Sequence, residues 1–269
     1  MIIAFICIVL IFNTMETISI HRPKIVVIGS CNTDMVVKAN RLPVPGETIL
    51  GGTFYMNPGG KGANQAIAAA RLGAEVTFIS KIGYDLFGLQ ALEIYRSEKI
   101  NTEYIFTDQK SPSGVALISV DSFGENSIIV APGASRSLSI EDINKAEEKI
   151  KEADIILMQL EIPIDTVEYA ATIACKYGKK VILNPAPASS LSNSFLMNVH
   201  TILPNRIEAE MLSGIKVMNI ESAHRAAQAI GEKGIENVVI TLGKDGAYVK
   251  EKDEYTMTVS YTHLTLPTN

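Results

Sequence analysis

The run Gly59-Gly60-Lys61-Gly62-Ala63-Asn64-Gln65-Ala66 sets three glycines against the start of an alanine-rich segment. Glycine lets a backbone turn sharply and approach a ligand closely, because no Cβ stands in the way. The residues that follow, to Leu72, are strong helix formers. Lys61 and Asn64 are therefore expected at a helix N-terminus, where unpaired N–H groups and the helix dipole favour oxygen-rich or anionic ligands. The run is not a Walker A loop, since no Gly-Lys-Ser/Thr closes it, and it lacks the third glycine of a dinucleotide fingerprint. On spacing alone, a glycine turn that merely starts a helix stays open.

Working outward, short apolar runs rich in β-branched residues recur at 25–29, 76–81, 155–159, 181–183, 201–203 and 238–241. Such runs suit strands of a parallel sheet buried on both faces. Amphipathic segments at 61–72, 88–98, 140–153, 165–177 and 221–233 fill the gaps as helices, and Ser139 with Asp142 caps the third. The alternation predicts an α/β fold, a doubly wound, mostly parallel sheet sandwiched by helices. Two regions break it. The segments 35–37 and 48–56 flank Pro43-Val44-Pro45-Gly46, and 114–120 and 126–130 flank Asp121-Ser122-Phe123-Gly124. Both read as β-ribbons, which predicts a separate small sheet. Residues 251–258 read as a further strand.

Four segments carry candidate chemistry. Asn32-Thr33-Asp34 follows the first strand, at the end where open α/β sheets bind ligands. An Asx turn satisfying its own backbone is the competing reading. Glu161 lies beyond the strand at 155–159, where it either faces a ligand or complements the dipole of the helix that Pro163 starts. Asn205-Arg206-Ile207-Glu208 has the spacing of a capping box. Thr241-Leu242-Gly243-Lys244-Asp245-Gly246 leaves a buried strand and enters a turn, for which a plain hairpin is the simplest account.

These segments together resemble the ribokinase-like carbohydrate kinases, and Lys-Gly-Ala-Asn-Gln after two glycines is similar to their ribokinase branch. The likeness runs from about residue 25 to 258. It implies that Asn32, Thr33, Asp34, Gly60, Lys61, Gly62, Ala63, Asn64 and Glu161 contact a sugar, Met158-Gln159-Leu160-Glu161 matching the family pattern residue for residue. It implies that Asn205 and Thr241 to Gly246 contact ATP, and that Glu208 acts indirectly on Mg²⁺; Arg206 stands where family members often carry an acid. The small sheet becomes a lid through which two copies form a homodimer. The implied reaction is ATP-dependent phosphorylation of D-ribose to ribose 5-phosphate, with Mg²⁺ as cofactor and K⁺ as activator. Another sugar or nucleoside kinase, or a sugar-binding fragment without turnover, are the alternatives.

Composition agrees with a small-molecule enzyme. The 269 residues are 47% hydrophobic with a net charge of −5 and no basic clusters, which argues against a nucleic-acid partner. Four scattered histidines and three scattered cysteines offer no metal-ligand spacing. The odd cysteine count fits a reduced, cytoplasmic protein. Residues 1–14 open with twelve almost wholly apolar residues, shorter than the roughly 20 that span a bilayer. They read as an extension outside the fold, with translation from Met15. Residues 259–269 carry no charge and no glycine and look foreign to the domain at 24–258. The resemblance puts the general-base aspartate and the glycine-rich anion hole beyond Asn269. The 269-residue chain is therefore expected to show no ribose phosphorylation with ATP and Mg²⁺ in excess, and a coupled assay giving turnover near that of an intact relative would contradict this.

Overall fold

A computed structural model describes residues 22–252 and 254–258. The N-terminal extension, the Met15 start and the tail from Val259 lie outside the described residues.

The chain runs β1 (Lys24–Ile28), β2 (Asn32–Lys38), β3 (Thr53–Gly59), α1 (Lys61–Arg71), β4 (Glu75–Gly83), α2 (Leu86–Ser97), β5 (Ile105–Asp108), β6 (Gly114–Val120) and β7 (Asn126–Ala131). A 3-10 turn, Gly133–Ser137, leads into α3 (Ile140–Lys145), α4 (Glu147–Glu152), β8 (Ile155–Met158), α5 (Ile164–Lys176), β9 (Lys180–Leu183), α6 (Asn193–Leu196) and β10 (Thr201–Ile202). Then come α7 (Arg206–Ser213), α8 (Ile220–Gly231), β11 (Asn237–Thr241), β12 (Ala247–Glu251) and β13 (Glu254–Thr258).

Nine strands form one sheet in the order β13-β12-β11-β10-β9-β8-β1-β4-β5, parallel except for the hairpins β11–β12 and β12–β13. Alternate residues feed opposite layers, as strand geometry requires. Val26, Ile28, Ile156 and Met158 pack with α3–α5 and α8, while Ile25, Val27, Ile155 and Leu157 share a core with Ala63, Ala66 and Ala69 of α1 and Tyr95 of α2. The doubly wound expectation holds. After β1 the chain builds β4 and β5 on one side, then returns to place β8 on the other. The β1/β8 boundary is thus the topological switch point, where open α/β sheets form their ligand crevice.

The small sheet is separate, as expected, with order β3-β2-β6-β7. Three differences from the sequence reading change an element rather than trim its end. The ribbon strand expected at 48–56 is displaced to Thr53–Gly59, because Gly51 and Gly52 take φ of +103° and +113° and break the extension. Its Pro58 is tolerated on this edge strand. The helix expected at 140–153 divides at Ala146, whose N–H bonds Ile143 three residues back in a tightened turn. The strand expected at 251–258 is a hairpin, Glu251 pairing with Glu254.

Candidate active site

Glu161 is the centre of the polar cluster at the switch point. Its Oε2 accepts from Ser30 Oγ at 2.5 Å and from the Lys61 backbone N–H at 2.9 Å. Its Oε1 lies 3.0 Å from Lys61 Nζ. The carboxylate therefore joins the ends of β1 and β8 to the first N–H of α1. It complements the dipole of α1, not that of the helix that follows it in sequence, which corrects the simpler reading.

The glycines make this junction possible. Gly60 caps α1 at φ 90°, a conformation that other residues rarely adopt. A Cβ on Gly62 would lie 2.7 Å from both the Gly29 carbonyl carbon and the Ser30 oxygen. The helix thus sits directly on the turn after β1, and the buried Ala63 donates its N–H to Ser30 O at 3.0 Å.

Asn32, Thr33 and Asp34 do not form an Asx turn. They are the first residues of lid strand β2, where Asn32 pairs with Gly59 and Gly114, and Asp34 with Asn57 and Ala116. The lid thereby carries Asn32 and Asp34 on one face. Asn32 is buried and its amide oxygen has no protein partner. Burial first, and then the Glu161 charge, push the Asp34 carboxyl above its ordinary pKa, with Lys61 pulling the other way. A half-buried carboxylate beside a like charge is poised to gain from hydroxyl donors. Asn64, in the first turn of α1, is exposed. A cavity of about 410 Å³ opens nearby, between the lid base and α2. Asn32, Thr33, Met56, Asn57, Phe87 and Ile94 line it, whereas Asp34, Lys61, Asn64 and Glu161 do not.

The second group of candidates lies further along the sheet, at the ends of β10 and β11. Asn205 caps α7 in a full capping box: Asn205 Oδ1 accepts from the Glu208 N–H at 2.9 Å, and Glu208 Oε2 accepts from the Asn205 N–H at 2.8 Å. Glu208 Oε1 also accepts from Asn205 Nδ2 at 2.8 Å. Burial raises the Glu208 pKa, opposed by the Asn205 backbone bond and by Lys61. Asn205 thus engages both carboxylate oxygens of Glu208. No group of three or more His, Cys, Asp or Glu among the described residues could hold a metal ion.

Asn205 forms a bridge with Thr241, whose N–H bonds Pro204 O at 2.9 Å, so these two candidate segments converge. Residues 243–245 form a 3-10 turn that leaves Gly243, Lys244 and Asp245 exposed, while Thr241, Leu242 and Gly246 are buried. Arg206 bonds Asp245 Oδ2 at 2.8 Å and Leu242 O at 3.3 Å. It braces this turn. Sequence reading missed Ser30 and the buried pair in which Gln159 Nε2 donates to Gln65 Oε1 at 2.5 Å. Only their position beside motif residues could have flagged them.

Comparison with known proteins agrees with this fold. A model of the pfkB family carbohydrate kinases matches residues 22–261. A ribokinase of Haemophilus influenzae is 46% identical over 231 residues, covering 86% of this chain and 76% of the relative. A deoxyribokinase of Salmonella typhi is 38% identical over the same shares. Among solved structures, that of Arabidopsis thaliana ribokinase complexed with ribose and ATP superposes with a TM-score of 0.78 at 30% identity, covering 89% of this chain and 78% of that one. The chain belongs to the pfkB family of carbohydrate kinases.

Proposed function

We propose that the switch-point cluster binds D-ribose for ATP-dependent phosphorylation at its 5-hydroxyl, giving ribose 5-phosphate. The convergence of Glu161, Lys61 and the lid carboxylate Asp34 from three separate segments carries this reading. Asp34, Asn32 and Asn64 supply acceptors and donors for vicinal hydroxyls. Lys61, held by Glu161, brings a positive charge that acts on both Asp34 and Glu208. ATP is assigned to Asn205 and the turn 241–246, with Mg²⁺ carried by its phosphates within reach of Glu208's influence and K⁺ as activator. Phosphoryl transfer of this kind depends on positioning and charge stabilisation.

Titration calorimetry with D-ribose, 2-deoxyribose and fructose tests the assignment. Ribose is expected to bind, and Lys61→Ala or Glu161→Ala to abolish the signal. Equal or tighter binding of 2-deoxyribose would favour the second reading, a deoxyribose kinase, which the Salmonella relative supports. Absence of heat with every pentose would overturn both.

The same proposal includes a homodimer through the lid. Val37, Phe54, Leu117 and Ile129 are exposed on one face of the small sheet, and Tyr55, Ile128 and Val130 on the face that carries Asp34. An apolar surface of this kind marks an interaction site. The cover we assign to it is a second copy of the lid, as the resemblance implies. Sedimentation is expected to show a dimer that Ile129→Asp or Ile128→Asp converts to monomer. A wild-type monomer at micromolar concentration would refute the interface.

A further inference from the structure

Asp85 stands outside the polar cluster, at the turn between β4 and α2. It caps α2, Oδ1 accepting from the Gly88 N–H at 2.9 Å. A cap alone would need only one oxygen. The same carboxylate also reaches the lid: Oδ2 accepts from the Ser113 backbone N–H at 2.7 Å and Oδ1 from Ser113 Oγ at 2.7 Å. Ser113 Oγ in turn accepts from the Gly83 N–H at 3.0 Å. Burial by itself raises the Asp85 pKa, but the bonds from Ser113 and Gly88 outweigh it and hold the carboxyl below its ordinary value.

Ser113 is the last residue before lid strand β6. The next residue, Gly114, lies opposite Asn32 in the β2–β6 register, and a Cβ there would overlap the Asn32 amide oxygen. The Gly114 backbone is thus the wall on which the Asn32 side chain rests. Gly88 is tight as well, since a Cβ there would lie 2.9 Å from Ser113 Oγ. At the lid's exit the Ala134 N–H bonds Pro112 O at 2.8 Å, so entry and exit segments share this mooring.

We propose that Asp85, acting through Ser113, is a positioning residue for sugar recognition: it fixes the base of β6 and so the orientation of the Asn32 amide. The proposal rests on the sugar-site reading above. It assigns function to a carboxylate that contacts no substrate, so its effect must travel through the lid.

Asp85→Asn separates this role from helix capping. Asparagine is an equally good N-cap, but its amide nitrogen faces the Ser113 N–H as a second donor and breaks that bond. Hydrogen exchange on the full chain is expected to quicken by about tenfold at 31–35 and 113–117 while 88–97 stays within about twofold, which is local opening confined to the lid base. Ribose affinity is expected to fall by about fivefold or more. Ser113→Ala, which keeps the N–H bond, should shift both readouts less, and the double variant should be non-additive because the two residues share one contact. Unchanged exchange at 113–117, or unchanged ribose affinity, in a folded Asp85→Asn protein would overturn the proposal. So would loosening spread equally over α2, which marks a purely structural cap. If the wild-type chain takes up no ribose, the substrate reading falls, and the exchange pattern still decides the mooring.

Discussion

Asp34→Asn is expected to stabilise the protein at neutral pH while weakening its hold on ribose. Burial and the Glu161 charge raise the folded-state pKa of Asp34 above 3.8. Between the unfolded value and that raised value the native state holds more protons than the unfolded chain, so stability falls as pH rises through this window and stays lower above it. Asparagine keeps the shape and removes the penalty, so the melting temperature at pH 7 should rise. At pH 3, where Asp34 is protonated in both states, the gain should vanish. Ribose loses a charged acceptor, and leaving its hydroxyls unpaired costs about 1–3 kcal/mol of binding. Melts at the two pH values and calorimetry with ribose check both halves. A lower melting temperature at pH 7, or an unchanged affinity, would show that Asp34 is a structural acid rather than a ligand group.

Gly62→Ala is expected to do the opposite of what helix propensity predicts. In an ordinary helix interior, replacing glycine by alanine stabilises by up to about 1 kcal/mol. Here the new Cβ would meet the backbone of Gly29 and Ser30 at 2.7 Å, and neither is the flexible end of a side chain. Overpacking of this kind costs typically about 1–3 kcal/mol. That corresponds to a fall of roughly 2–4 °C for each kcal/mol in a domain of this size. The displacement also pulls α1 away from Ser30 and Glu161, so ribose binding should be lost along with stability. A melt at or above the wild-type temperature, with ribose affinity intact, would mean that the contact relaxes freely and that the glycine is not required there.

Much of the fold was legible because its signals are local. β-branched apolar runs marked the strands of the parallel sheet, and the Asn205–Glu208 spacing gave a capping box that the structure contains in both directions. Turn residues at 43–46 and 121–124 marked the bends inside the two ribbons that pair in the lid. The ribbon expected at 48–56 slipped because glycines at positive φ displace a strand without changing its hydrophobic pattern.

By itself the sequence determined which residues could carry chemistry and which backbone conformations the glycine run required. Both are properties of a few neighbouring residues. The tertiary structure decided what those residues meet. Glu161 bonds Ser30 and Lys61, 131 and 100 positions away in the chain. Arg206 turns to Asp245, 39 positions on, and Asp85 reaches Ser113, 28 positions on. Whether a carboxylate caps its own helix or another depends on sheet order. That order is set by which apolar faces pack together across the whole chain, a long-range balance that no local spacing encodes.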